Sequence, residues 1–295
     1  MIMPSRHSLF FSLPGIILSA TPALQSQDLN KRLSIAGPEM ERLIAVFQFE
    51  EALIKAESLL PQTIDPYNSQ NVVGAFGSAI TYYNYTQAYF LAFKAADACG
   101  QWEKALGYAQ KAQELARTNK AETEKALAGP MKAWMGLRDS GKRVLDANTA
   151  RIAELKAKQH PTNAELNELD DYLSAEKNYQ VGEESAKTLL FAWDRGTKYA
   201  KSYDAYVDYI QQKIEEQEKE IASYAPTKGD RAKWAEAISQ APSYLNTFTE
   251  TKEKVAFIHR LMVLAPGSPK VKRALDIALG KSVAPEPKSK ATQKK

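Results

Sequence analysis

Cysteine is nearly absent from this 295-residue chain: Cys99 stands alone. An intramolecular disulfide is therefore excluded, and with it the stapled scaffold of small secreted domains. A lone thiol inside a helical pattern reads as a buried, inert side chain. Histidine is scarce too, at His7, His160 and His259. With no HExxH, CxxC or paired-His spacing, a protein-built zinc site is not predicted, and no cofactor is expected. His259 falls beside the apolar face of its helix and reads as a packed or half-exposed residue. The P-loop, G-x-G-x-x-G and G-x-S-x-G are all missing, so nothing points to nucleotide binding or acyl transfer. Asn-Gly and Asp-Gly turns do not occur, and period-2 runs are absent, which argues against strands. No apolar stretch beyond the first two dozen residues has membrane-spanning length.

One-sided charge is also lacking. Lys and Arg total 39 against 35 Asp and Glu, a formal net of +4. The last fifteen residues, KSVAPEPKSKATQKK, hold five lysines and one glutamate, so the pI near 8.8 belongs to this tail. The rest of the chain is balanced and offers no basic face for specific nucleic-acid binding. Low hydrophobicity with Pro, Ser and Lys predicts disorder over 281–295. Such a tail serves as a solubilising end, or touches an anionic surface or acidic partner.

At the start, MIMPSRHS carries one Arg, LFFSLPGIILSA is apolar, and Thr21 and Ala23 take the −3 and −1 places of a small-residue cleavage site. This order predicts a signal peptide over 1–23 and a periplasmic or secreted protein. A buried helix or uncleaved anchor is the bland alternative. No Cys follows, so lipidation is not indicated. Residues 24–37 read as a short linker.

From residue 38 to residue 280 helix succeeds helix, with apolar residues at three- and four-residue spacings, so the predicted class is all-α. Over 38–120 a first helix starts with Pro38 in its first turn and runs to Pro61. A second covers Val72 to Cys99. After a break at Gly100 and Gln101 a third begins with Trp102. Over 121–225 a long antiparallel hairpin is predicted, coiled-coil-like in part. Its seam carries Trp134, Leu137, Leu145, Ile152 and Leu155, weakened at Gly141 and Asn148. Thr162 and Glu165 spell a capping box for its second helix, with a kink expected near Gly182 or Gly196. Over 226–280 come a helix capped by Asp230, a break at Pro242, a longer helix, and a last one capped by Ser268 with Pro269 at its first position.

Residues 48–53 read QFEEAL and residues 101–106 read QWEKAL. The second resembles the tetratricopeptide repeat, in which Gly100, Trp102 and Ala105 would mark the turn between paired helices. Ala109 and Ala112 would continue the packing face. LMVLAPGSPKVKRALDIAL resembles a junction between two such repeats, although Lys254 stands where a small Ala belongs. The two echoes lie 53 residues apart, not at the roughly 34-residue period of a true array. The resemblance implies stacked, irregular helical hairpins. An irregular all-α protein with ordinary Ala-rich helices is the other reading.

Adjacent acidic pairs, Glu50-Glu51, Asp170-Asp171, Glu183-Glu184 and Glu215-Glu216, point about 100° apart on a helix and do not converge on a substrate. Aromatics are more suggestive. Tyr82, Tyr85 and Tyr89 recur along one helix, and Tyr199, Tyr203 and Tyr206 along another. The bland reading of such stripes is interhelical seams. The functional one is a groove in which Tyr82, Tyr85, Tyr89, Phe93 and Trp102 anchor a protein or peptide partner. The expected function is thus non-enzymatic binding by an exported helical protein. The alternative is an envelope structural protein that homo-oligomerises through 130–224, and an enzyme acting on envelope polysaccharide stands third.

Overall fold

The computed structural model describes residues 20–225 and 227–283, apart from the side chains of residues 20–27, Leu137 and Tyr199. These residues form eleven α-helices and no strand. The expected signal peptide lies outside the described residues except for its last four positions, and the tail lies outside from 284 on.

Helix α1 spans Ala20–Ala45, α2 Phe49–Glu57, α3 Val72–Ala98 and α4 Trp102–Ala128. The region expected as a linker, 24–37, is therefore helical. Leu29, Leu33, Ala36, Met40 and Leu43 recur at steps of four and three and face the core. Pro38, expected at a first turn, lies inside α1. It is tolerated because Ser34, whose carbonyl it leaves without an intrahelical donor, faces solvent with it. α3 is the central helix. Its alanines 75, 79, 88, 92, 95 and 96 are sealed all round, so α1, α2, α4 and the later long helix pack close to its backbone. Ala105, Ala109, Ala112 and Ala116 give α4 a matching small-residue face.

Beyond Gly129, α5 (Pro130–Ala147) and α6 (Thr149–Ala157) run outward, separated at Asn148. α7, Asn163–Tyr224, returns along the whole molecule as one bent helix. Its 62 residues cover roughly 93 Å at 1.5 Å per residue. The capping box starts it as expected: Thr162 accepts from the Glu165 N–H, and Glu165 accepts from the Thr162 N–H at 2.9 Å. α7 lies first against α6 and α5, then against α4, and last against α3. Gly196 permits the second contact, since its α-carbon faces the Ala116 carbonyl and Lys120.

The chain ends in a small unit of α8 (Lys228–Ser239), α9 (Pro242–Leu245), α10 (Thr251–Leu264) and α11 (Pro269–Ala278), with its own core of Ala235, Ile258, Leu261 and Val271. Two expected caps are reassigned. Thr227, not Asp230, accepts the first-turn N–H of α8, because the helix begins three residues earlier than the Asp implied. Ser268 does stand before Pro269, but its hydroxyl donates to Glu236 across the unit at 2.8 Å. No helix among the described residues is long and apolar enough to cross a membrane.

Candidate functional site

The two echoes in the sequence fold into the same corner. Phe47 and Gly100 take left-handed φ angles of 64° and 65°. The Gln after each has nearly the same backbone, φ −87° and ψ 59° at Gln48, φ −85° and ψ 63° at Gln101. In both, the Gln N–H reaches back five residues, Gln48 to Leu43 and Gln101 to Ala96, each at 2.9 Å. This is the Schellman closure of one helix followed at once by the next. The aromatic that follows, Phe49 or Trp102, opens the new helix.

Both corners receive the same helix, α10. Phe49 meets the His259 ring at 5.3 Å, and Arg260 lies over Trp102 at 4.7 Å. An ideal Cβ at Gly100 would lie 2.4 Å from the Arg260 backbone nitrogen, so glycine is required there by contact as well as by φ. Arg260 is 1% exposed and fully engaged. It donates to the Gln217 side chain at 2.6 Å, to the Gly100 carbonyl at 3.1 Å, and to both Glu103 oxygens at 2.8 and 2.7 Å. The Arg260 hydrogen bonds hold the Glu103 carboxyl below its usual range. Burial lowers His259, and burial, aided by Glu50 and Glu57, pushes the Cys99 thiol up to about 12. The lone thiol is thus not a thiolate nucleophile at neutral pH.

Beside these corners a cleft of about 1040 Å³ opens between the end of α3, the last third of α7, and α10. Phe90, Phe93 and Tyr206 form one wall, with ring centres 5.2 to 6.0 Å apart. Phe248 and Phe257 form the opposite wall at 5.1 Å. At the end nearest the second corner, the Lys213 ammonium sits 4.6 Å from Trp102 and 4.8 Å from Tyr209, and donates to Asp97 at 2.5 Å. Lys94 is tied to Glu41 at 3.0 Å, while Glu250, Lys252 and Glu253 stand on the exposed α10 lip.

Of the five candidate residues, Phe93 and Trp102 line this cleft. Tyr82 and Tyr85 do not. They are buried with Leu29 and Leu115, and their hydroxyls donate to the Asp65 carbonyl at 3.0 Å and the Asp65 carboxylate at 3.4 Å. They anchor the loop between α2 and α3, and burial raises both phenols. Tyr89 is half-buried beside Tyr108. The first tyrosine stripe is accordingly a seam. In the second stripe Tyr203 is buried, whereas Tyr206 reaches the cleft. Phe90, Tyr209, Phe248 and Phe257 also line the cleft and were not among the five candidates, although Phe90 lies within the stretch from Tyr82 to Phe93. Tyr209 follows Tyr206 at a helical step and carried a signal, but nothing in the order of residues joins Phe248 or Phe257 to α3. Among the described residues no three His, Cys, Asp or Glu come together as a metal site. No protein-family model matches the chain, and no curated protein or solved structure matches it either.

Proposed function

We propose that this is an exported, non-enzymatic helical protein that holds a segment of another protein or peptide in the cleft between α3, α7 and α10. The observation that carries the reading is the cleft itself, open to solvent and walled on both sides by aromatic rings. Aromatic side chains supply large contact area at low rotamer cost, and a trough between helices suits an amphipathic segment. Tyr209, 47% exposed, offers both a ring face and a hydroxyl to such a guest. The likeness of the Gly100–Ala105 corner to a tetratricopeptide turn supports the same reading, and the leader-like pattern over 1–23 supports export.

The test is a photo-crosslinking residue in place of Tyr209, with the same residue at exposed Tyr224, outside the cleft, as control. A partner crosslinked from Tyr209, absent from Tyr224 and lost on Phe257→Ala is the expected result. Equal capture at both positions would reject the cleft as the site. Substituting Tyr82 and Tyr85 is no test, because these are core changes.

A second reading, an envelope structural protein that self-associates through 130–224, is favoured by the exposed Leu166, Leu173, Val181 and Phe191 of α7. Charged and polar residues interrupt that stripe. Sedimentation of the full chain should then show a dimer that Leu166→Lys with Leu173→Lys dissociates; a wild-type monomer rejects it.

A further inference from the structure

The aromatic cleft carries an unbalanced charge at the end where α10 begins. Glu250 and Glu253 stand on its lip there. On α7, Glu216 and Glu220 follow Tyr209 and Lys213 at steps of three and four, so they continue the same face of the helix. Glu216 accepts from the neutral Gln212 side chain at 2.7 Å. Glu220 is tied to the α10 side, accepting from the Tyr244 hydroxyl at 3.1 Å, and Tyr244 stacks on Phe257 at 5.5 Å. Among the described residues none of these four carboxylates meets a cation, and Lys252 is the cation that shares the lip with them. The other charges of the cleft cancel in pairs, Lys94 with Glu41 and Lys213 with Asp97.

We propose that the chain's own basic segment, 284–295, occupies this cleft when no partner fills it, with its prolines against the rings and its lysines at the acidic end. The inference uses the cleft as a surface and holds whether or not a partner exists.

The path of the chain leads there. Ile277 and Ala278, in the last turn of α11, share a pocket with Thr251 and Lys254 at the start of α10. Glu250 and Glu253 belong to the same α10 turn but line the cleft. α11 closes at Gly280, whose φ is 70°, with the Lys281 N–H on the Asp276 carbonyl at 2.9 Å. Twelve more residues, APEPKSKATQKK, follow Val283. Extended, they reach roughly 40 Å at about 3.3 Å each, against roughly 21 Å for the whole of the fourteen-residue α10. The segment is thus long enough to pass the start of α10 and lie along the cleft.

The order of its residues matches the order of the surfaces. Pro285 and Pro287 come first, and proline-rich stretches favour the extended conformation that aromatic grooves accept. Phe248 and Phe257, on the α10 wall, are the rings nearest that entry. Lys288, Lys290, Lys294 and Lys295 follow, against the single acid Glu286. The cleft already holds one lysine head in the required way, since the Lys213 ammonium lies between Trp102 and Tyr209 beside Asp97. Tyr209 is open enough to meet a second ammonium. A purely apolar occupant would leave the four carboxylates unmatched, whereas a basic one answers them.

A nitroxide attached at Ser289→Cys in the full chain tests this, because Cys99 is buried and escapes the label. The amide resonances of Phe90, Tyr206 and Tyr209 should lose intensity, while that of Arg151 on α6 should keep its own. Changing the four lysines of the segment to Glu should restore the cleft signals. Adding Glu216→Lys, Glu250→Lys and Glu253→Lys to that chain, all at exposed positions, should bring the loss back. Isotope-labelled chains mixed with nitroxide-bearing, unlabelled chains should keep full cleft intensity. A loss in that mixture would put the segment in a second copy's cleft and overturn the proposal. Cleft intensities no lower than that of Arg151, or a loss that survives the lysine reversal, would overturn it as well. No partner enters this experiment, so its failure leaves the capture from Tyr209 to be judged separately.

Discussion

Around α3, Ala75, Ala79, Ala88, Ala92, Ala95 and Ala96 are closed off from water, and Phe49, Met40, Ile210 and Leu189 fill the space between helices. Along the arm formed by α5, α6 and the start of α7, between residues 132 and 184, Leu155 is the one described hydrophobic side chain that reaches this state. The arm is instead crossed by ion pairs. Arg138 meets Glu183 at 3.1 Å, Arg151 grips Glu168 through two bonds at 3.1 and 2.8 Å, and Lys158 meets Glu165 at 2.6 Å. Two helices alone share a single line of contact, whereas α3 has neighbours on every side. Apolar burial therefore accumulates in the body and stays small in the arm, and exposed ion pairs of about 0–1 kcal/mol each do not replace it. The same helical pattern thus yields a stable body and an arm that opens at lower cost.

Breaking the body should have the largest effect. Gly100→Val demands a left-handed β-branched residue and forces α10 away from the corner, so a loss of about 3 kcal/mol or more is expected in urea unfolding. A cost under about 1 kcal/mol would show that α10 is not seated there. Ile210→Ala, at a fully buried site, should cost about 2–5 kcal/mol by the same measurement.

Acid should act on the seat of α10 before it acts on the rest of the body. His259 and Glu103 both have folded pKa values below their ordinary ones, the first by burial and the second by Arg260. What each contributes is present above its unfolded pKa, about 6.5 and 4.5, and is lost as pH falls through the lower folded value. Tm should therefore fall in two stages, the first below about pH 6.5 and the second below about pH 4.5, and His259→Leu should flatten the first. An unaltered profile in that variant would remove the histidine from the account.

The smallest effects belong to the arm. Arg151→Gln should leave the midpoint of global unfolding nearly unchanged, because solvent screens the Arg151–Glu168 pair on the arm. It should nevertheless speed amide exchange in α6 while leaving α3 unchanged. Protection of α6 equal to that of α3 would erase the contrast between the two regions.

Much of the helical order was legible because its signals are local. Val72 to Ala98, the break at Gly100, the Thr162–Glu165 box and the Pro269 start each depend on residues a turn or so apart. Pro38 gave a false start for α1, since proline at a solvent-facing helix position leaves no trace that separates it from a first-turn proline. The site was less legible. Tyr82 and Phe93 share α3 and carry similar aromatic side chains, yet the first meets the Asp65 loop and the second an open cleft. Only the partner across each face distinguishes them.

The sequence by itself determined that the described residues are helical and where several helices begin and end, but it ran one helix through QFEEAL to Pro61 where the structure turns a corner at Phe47. Backbone hydrogen bonds four and five residues apart, caps and left-handed closures suffice for those helices and ends. Only the tertiary structure decided what the corners are for: they seat His259 and Arg260, more than 150 residues beyond the second corner, and so place α10 along the aromatic cleft. Such a contact depends on the order in which whole helices stack, and no short window of residues carries that information.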